Sequence, residues 1–222
     1  MGLKKPAIID LVGFGLGAAH LKRDILDGYK PEQVWTCNNA HAFFSIDPDR
    51  IVAMDDLDLD RETHPDYVED IISAGVPVYT SKAYDDLPNT VDYPLREVID
   101  WFKLDVATAC KVFTNTLCFM LALAAMEKPG EIRLHGFDFY PVDKERDLIA
   151  ARKKVPKGKP DWQKYYRKPL IRTALEPGAD GVAWLLGHLQ ARKQSVAVSA
   201  PSTLLDMDRP CFFYGYKNDP FM

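Results

Sequence analysis

Cysteine pairs, long apolar runs and the short motifs of several enzyme classes are absent from this 222-residue chain. Its four cysteines form no CxxC pair, so a zinc ribbon and a disulfide framework are both disfavoured. No apolar run approaches the roughly 18 residues of a membrane-spanning helix, and no signal-peptide core follows the first residues. GxSxG, HExxH and Walker A patterns are missing, so the sequence gives little support for a serine hydrolase, a zinc protease or a P-loop nucleotide-binding protein. We therefore expect a cytoplasmic protein with reduced cysteines.

The charge of the chain is unevenly distributed. Between Lys144 and Arg172 there are eleven Lys and Arg against three acidic residues, a net charge of +8, so the rest of the chain carries −12. Trp162, Tyr165 and Tyr166 are interleaved with these charges. Basic residues mixed with aromatic rings favour an anionic or stacking ligand, and the alternative is a solvated surface loop.

Strand-like and helix-like segments alternate along the chain, which predicts an α/β fold: a Rossmann-like, mainly parallel sheet with helices on both faces. Strands are predicted over 7–12, 34–37, 50–54, 76–79, 111–113, 131–134 and 195–199, and helices over 18–26, 62–74, 92–103, 116–126 and 177–193. We expect a single nucleotide-binding domain over 1–206, in which 141–172 form a long basic lid or acceptor loop, and a tail over 207–222.

Small or polar residues follow several of the predicted strands, and in parallel sheets such positions converge where ligands bind. The turn Gly13-Phe14-Gly15-Leu16-Gly17 brings backbone N–H groups to a phosphate or ribose without an intervening side chain. Its GxGxG spacing differs from the dinucleotide pattern GxGxxG, and a turn that only packs strand against helix is the alternative. Asn38 and Asn39 follow the second strand and are candidate nucleotide ligands.

Carboxylates and a histidine also follow predicted strands. Asp55 and Asp56, followed by Asp58 and Asp60, come after an apolar strand, a pattern typical of Mg²⁺ or Mn²⁺ sites that hold a diphosphate. An acidic turn without metal is the alternative, and Asp55, nearest the strand, is the stronger candidate. His135 follows another strand and either faces the cleft or serves as a hydrogen-bonded structural histidine.

Several segments together carry a resemblance to a known family: the glycine turn, Trp35-Thr36-Cys37-Asn38-Asn39, Phe113-Thr114-Asn115-Thr116, the stretch from Glu131 to Tyr140, and the closing Val196 to Leu205. In this order they resemble the sialyltransferase-like, Rossmann-type glycosyltransferases, which include bacterial lipooligosaccharide sialyltransferases. The resemblance covers about residues 6–140 and 177–206, as a pattern rather than close identity.

The resemblance implies one nucleotide-binding domain whose lid lies between the Gly-Phe-Asp strand and the last helix. It implies that the nucleotide is held by Gly13, Gly15, Gly17, Asn38, Asn115 and Thr116. The family's lid supplies a histidine base and tyrosines for the leaving phosphate, whereas this lid has Tyr165 and Tyr166 but no histidine from Gly136 to Gly187. The family's Pro-Ser turn is also absent, and Asp55-Asp56 is an addition. These departures favour a different sugar nucleotide and a metal.

The resulting hypothesis is a glycosyltransferase that moves a sugar from a nucleotide-sugar donor to a hydroxyl acceptor. Asp55, Asp138 and His135 are candidates for the general base, and lid tyrosines or a metal would stabilise the departing phosphate. The basic segment favours an anionic acceptor, such as a nucleic acid that carries a hydroxylated base, as in DNA modification. The alternatives are a nucleotide-dependent diphosphokinase that resembles pterin pyrophosphokinases, and a non-catalytic nucleotide-binding protein.

Overall fold

The computed structural model describes residues 6–137 and 169–199. Predicted lid residues 141–168, the tail and the site candidates Asp138, Tyr165 and Tyr166 lie outside these ranges. The strands are β1 (Ile8–Val12), β2 (Val34–Cys37), β3 (Arg50–Val52), β4 (Val78–Thr80), β5 (Thr90–Asp92), β6 (Glu131–His135) and β7 (Ser195–Val198). The helices are α1 (Leu16–Leu26), α2 (Ala40–Phe44), α3 (Leu57–Thr63), α4 (Pro65–Ser73), α5 (Leu95–Phe102), α6 (Val106–Val112), α7 (Thr116–Met126) and α8 (Pro169–Ala191).

The strands form one parallel sheet in the order β5-β4-β3-β2-β1-β6-β7. This confirms the predicted Rossmann-like α/β fold. From β1 to β5 each new strand is added on the same side, and the chain then returns to place β6 on the other side of β1. The strand order therefore reverses between β1 and β6, which is where open parallel sheets bind ligands beyond the carboxyl ends of their strands.

Each face of the sheet is buried under helices, because successive side chains of a strand point to opposite faces. On one face, Val12 and Val34 pack with Ala18 and Leu21 of α1. On the other face, Leu11 and its neighbours pack with α7 and α8. As predicted from its apolar sequence, α7 is a core helix, with seven of its eleven residues buried.

The structure differs from the predicted secondary structure in several places, where the tertiary context overrides the local pattern. Residues 111–113, predicted as a strand, include the end of α6. β5 was missed, because its three residues stand between turn-forming residues and gain their pairing only from β4. α8 begins at Pro169 rather than at residue 177, so the last four residues of the predicted lid are helical. Pro177 therefore lies inside the helix, although a proline in a sequence more often indicates the first turn of one.

A single long helix at 62–74 was also expected. Instead α3 ends at Thr63 and α4 begins at Pro65, because a proline fits the first turn of a new helix and interrupts an existing one. Among the described helices, none is by itself long and apolar enough to cross a membrane. Only α6 and α7 taken together reach that length and apolar character, and they are bent by 114° where they meet.

Candidate functional site

The glycine turn after β1 packs against the turn after β6. Gly13 N–H donates to the His135 carbonyl at 2.8 Å, and Gly15 N–H donates to the Gly136 carbonyl at 2.9 Å. A Cβ added at Gly13 would lie 2.5 Å from the Gly136 oxygen, and one added at Gly17 would lie 2.6 Å from the Gly136 nitrogen. These glycines thus allow two backbones to meet at the strand-order reversal, and two of the N–H groups predicted to bind phosphate have protein partners.

The start of α1 has no side-chain cap. α1 begins directly after Gly15, which provides no side-chain cap, and its first turn holds no acidic residue. The first N–H groups of a helix lack partners within the helix and carry the positive end of its dipole. This end of α1, rather than the turn itself, is where the phosphate of a nucleotide would be favoured.

Asn38, Asp55 and Tyr67 form a second polar group, at the carboxyl ends of β2 and β3. Asn38 adopts a left-handed backbone conformation, with φ of 49°. Its Nδ2 donates to Asp55 Oδ2 at 3.0 Å, and the Tyr67 hydroxyl donates to the same oxygen at 3.1 Å. Burial and the neighbouring Asp55 carboxylate raise the pKa of Tyr67 well above its ordinary value, so Tyr67 stays a hydrogen-bond donor. Asp55 is exposed, and no residue in the described part of the chain donates to its Oδ1, which is left to accept from a ligand.

The neighbouring Asn39 and Asp56 serve the protein's own structure. Asp56 caps α3 by accepting a hydrogen bond from Asp58 N–H at 3.1 Å. Asn39 is buried, and its Nδ2 donates to Asp70 of α4 at 3.1 Å. In residues 6–137 and 169–199 no three acidic, histidine or cysteine side chains are grouped to hold a metal ion. One oxygen of each carboxylate is used within the protein, Asp56 Oδ1 as a helix cap and Asp55 Oδ2 as the acceptor of two hydrogen bonds, so a Mg²⁺ or Mn²⁺ ion at this pair stays a prediction.

Asn115 and Thr116 lie at the start of α7, close to the glycine turn. Asn115 is the N-cap, and its Oδ1 accepts a hydrogen bond from Cys118 N–H at 3.2 Å. The next residue, Leu117, is in reach of Gly13: a Cβ added there would lie 3.2 Å from Leu117 Cδ2. The structure therefore brings two segments that are 100 residues apart in sequence to the same edge, although the Asn115 amide already has a structural partner.

A buried network that includes His135 lies beneath α1. His135 Nε2 is 2.8 Å from Asp10 Oδ1, and the Tyr29 hydroxyl donates to Asp10 Oδ2 at 2.8 Å. Arg133 in turn donates to the Tyr29 oxygen at 3.0 Å. The sequence reasoning missed Asp10, although a signal was present: it is the only charged residue in the apolar strand segment AIIDLV.

Comparison with known proteins assigns neither a family nor a function, because no family model, no curated protein and no solved structure matches this chain. The carboxyl edge of the sheet is therefore assigned from its geometry. It combines an uncapped helix start at α1, the exposed carboxylate of Asp55 and the buried pair of His135 and Asp10.

Proposed function

We propose that the chain binds a nucleotide sugar at the carboxyl edge of its sheet and transfers the sugar to a hydroxyl acceptor. The observation that carries the proposal is the Asp55 carboxylate, fixed by Asn38 and Tyr67 after β3, at the same edge of the sheet as the α1 start after β1. A carboxylate at such a strand end is suited to accept hydrogen bonds from ribose hydroxyls, and a helix start is suited to the attached phosphate.

The chemistry of transfer requires stabilisation of a departing phosphate and removal of a proton from the acceptor. The N-terminus of α1 provides positive potential for the phosphate. Asp55, His135 and Asp138 remain the candidate bases, and Tyr165 and Tyr166 remain candidate donors to the phosphate. The +8 segment supports an anionic acceptor, including a nucleic acid with a hydroxylated base.

We place this activity in the cytoplasm. The described cysteines, Cys37, Cys110 and Cys118, are all free thiols, which is consistent with a reducing compartment.

A binding panel tests the proposal and separates it from its alternatives. UDP-glucose, GDP-mannose, CMP-N-acetylneuraminate and ATP are each added with and without Mg²⁺, and thermal unfolding is followed. Stabilisation by a nucleotide sugar, with slow release of its nucleotide, supports a glycosyltransferase. Stabilisation only by ATP with Mg²⁺ would indicate a diphosphokinase, and binding without turnover would indicate a nucleotide-binding protein without catalysis.

Asp55→Asn tests the site assignment. We expect nucleotide affinity to fall about 10-fold or more, because a hydrogen bond to a charged group contributes about 1.5–3 kcal/mol. Tyr67→Phe should weaken binding by a smaller factor, because the carboxylate remains but loses one of its two fixed donors. The matched control is Asp58→Asn, an exposed carboxylate in the first turn of α3 that pairs with Lys82. Equal losses from Asp55→Asn and Asp58→Asn in calorimetry would show that Asp55 is not a ligand.

A further inference from the structure

The pair of His135 and Asp10 has a defined hydrogen-bond direction. Asp10 is fully buried and His135 is 9% exposed. An ionised carboxylate can only accept hydrogen bonds, so His135 Nε2 carries the hydrogen that points to Asp10 Oδ1. In the neutral ring the lone pair is therefore on Nδ1.

Asp10 is held on both of its oxygens, which fixes the orientation of the histidine ring. The Tyr29 hydroxyl donates to Oδ2 and receives a hydrogen bond from Arg133. Burial and the hydrogen bond to Asp10 raise the pKa of Tyr29 to about 12, so this hydroxyl keeps its proton at neutral pH. A carboxylate that orients a histidine in this way selects one tautomer, as in other histidine–carboxylate pairs.

Within residues 6–137 and 169–199, His135 Nδ1 is buried without a hydrogen-bond partner, and the same is true of Ser199 Oγ. β6 pairs with β7 in the register Leu134 with Val198, so the next residues, His135 and Ser199, are neighbours on the same face. Gly17, in the first turn of α1, lies against both: an added Cβ would be 2.3 Å from Ser199 Oγ and 3.4 Å from the His135 carbonyl carbon. The Ser199 hydroxyl thus lies beside the helix start to which we assign the phosphate, and His135 is its neighbour on β6.

Buried polar atoms without partners are uncommon, and where two of them stand on neighbouring strands a ligand or a water molecule is the natural occupant. A hydroxyl group placed between them would donate its hydrogen to Nδ1 and accept a hydrogen from Ser199 Oγ. Both atoms are shielded from bulk water, so the rival occupant is a single permanently bound water.

Resting on the proposed function, we infer that His135 is the general base of the transfer, that Asp10 is its positioning residue and that Ser199 orients the acceptor hydroxyl. The hydroxyl proton passes to Nδ1, and the hydroxyl oxygen forms the new bond to the anomeric carbon of the sugar. The bond from that carbon to the phosphate oxygen breaks, and its electron pair leaves with the nucleotide. Asp55 is then free to act as the ribose ligand.

The first test needs no substrate. Nitrogen NMR of ¹⁵N-histidine-labelled protein should show His135 with hydrogen on Nε2 and none on Nδ1. Asp10→Asn should remove this preference, because its amide can donate to the ring as well as accept from it. A ring protonated on both nitrogens, or one with hydrogen only on Nδ1, would overturn the assignment. A water contact at His135 that persists when nucleotide sugar and glycerol are both bound would do the same.

The second test measures nucleotide release from the panel sugar nucleotides with glycerol as acceptor. His135→Gln should lower turnover about 100-fold while nucleotide affinity stays within twofold, since general-base catalysis typically contributes 10²–10⁴-fold. Ser199→Ala should lower turnover about tenfold. His41→Gln is the matched control, because His41 is also buried, with Nε2 at 3.0 Å from a carbonyl and Nδ1 without a partner, but it lies on α2. It should stay within twofold of wild type.

The outcomes separate the two proposals. If wild type turns over and His135→Gln matches it, only the base assignment fails. A parallel loss of affinity and turnover in His135→Gln would likewise show a structural role and overturn the assignment. If wild type binds none of the panel, the proposed function fails and the base assignment fails with it.

Discussion

Individual glycines differ sharply in what surrounds them, although they look alike in sequence. Gly13 lies where two turns meet, and an added Cβ would be 2.5 Å from the Gly136 oxygen. Gly187 lies in α8, and an added Cβ would have no atom within 4 Å. Close backbone contact, rather than turn geometry alone, is therefore what requires glycine after β1.

This difference predicts opposite effects on stability. Gly13→Ala should lower the free energy of unfolding by about 1–3 kcal/mol, because a backbone oxygen cannot move away cheaply. Gly187→Ala should raise it by about 0.5–1 kcal/mol, because alanine is the better helix former. Urea denaturation of the two variants checks both signs, and equal effects would contradict the contact at Gly13.

At the scale of elements, helix starts account for two of the polar residues that the sequence suggested as ligands, Asn115 and Asp56, and for Asp105 in the same way. Asn115 caps α7, Asp105 caps α6 and Asp56 caps α3. A side-chain oxygen at such a position satisfies an N–H group that the helix leaves open. Polar residues before an apolar run therefore have a structural use even at a ligand-binding edge.

Capping at α7 and α6 should respond differently to pH. Asn115→Ala should cost about 1 kcal/mol of stability at any pH near neutrality, because the amide does not titrate. The hydrogen bonds from Thr108 to Asp105 lower the pKa of that carboxyl in the folded protein. The stability that this cap contributes is therefore present in full above about pH 3.9, the ordinary pKa of an aspartate, and is lost as pH falls through the pKa of the folded state.

Chemical denaturation at pH 7 and pH 3 measures this difference. Asp105→Ala should have a lower free energy of unfolding than wild type at pH 7, and the difference between the two proteins should be smaller at pH 3. A gap that stays constant would mean that the Asp105 carboxylate does not cap α6.

On the scale of the whole molecule, the two helical layers enclose two of the three cysteine thiols that the structure describes. Cys37 lies on β2 and Cys118 on α7, and both are buried, whereas Cys110 on α6 is exposed. Burial raises the pKa of Cys118 to about 11 and raises that of Cys37 well above its ordinary value. Neither thiol should ionise or meet a reagent while the domain is folded.

Thiol labelling therefore reports global unfolding. In a Cys211→Ser background at pH 8, one thiol per chain should react quickly with Ellman's reagent, and the other two should react only in denaturant. Replacing Cys110 by Ser in the same background should remove the fast phase. Fast reaction of Cys37 or Cys118 would mean that their layer opens without unfolding of the whole domain.

The sequence by itself determined the class of fold and several parts of the site. Alternating apolar strands and helices predict a parallel sheet because periodicity is a local property, readable over ten to fifteen residues. The same reasoning placed α7 in the core and put Asp55, Asn38 and the glycine turn after strands, which is where the structure has them.

Only the tertiary structure decided how these residues are used, because their partners are distant in sequence. Asp10 meets His135 across 125 positions, and Gly13 and Gly15 donate to the turn after β6. Asp55 and Asp56 are neighbours in sequence but differ in role, because Asn38 and Tyr67 both donate to Asp55 whereas Asp56 caps α3. Sequence indicates which polar groups reach the edge of a sheet, whereas packing between strands determines which of them keep a free hydrogen-bonding atom for a ligand.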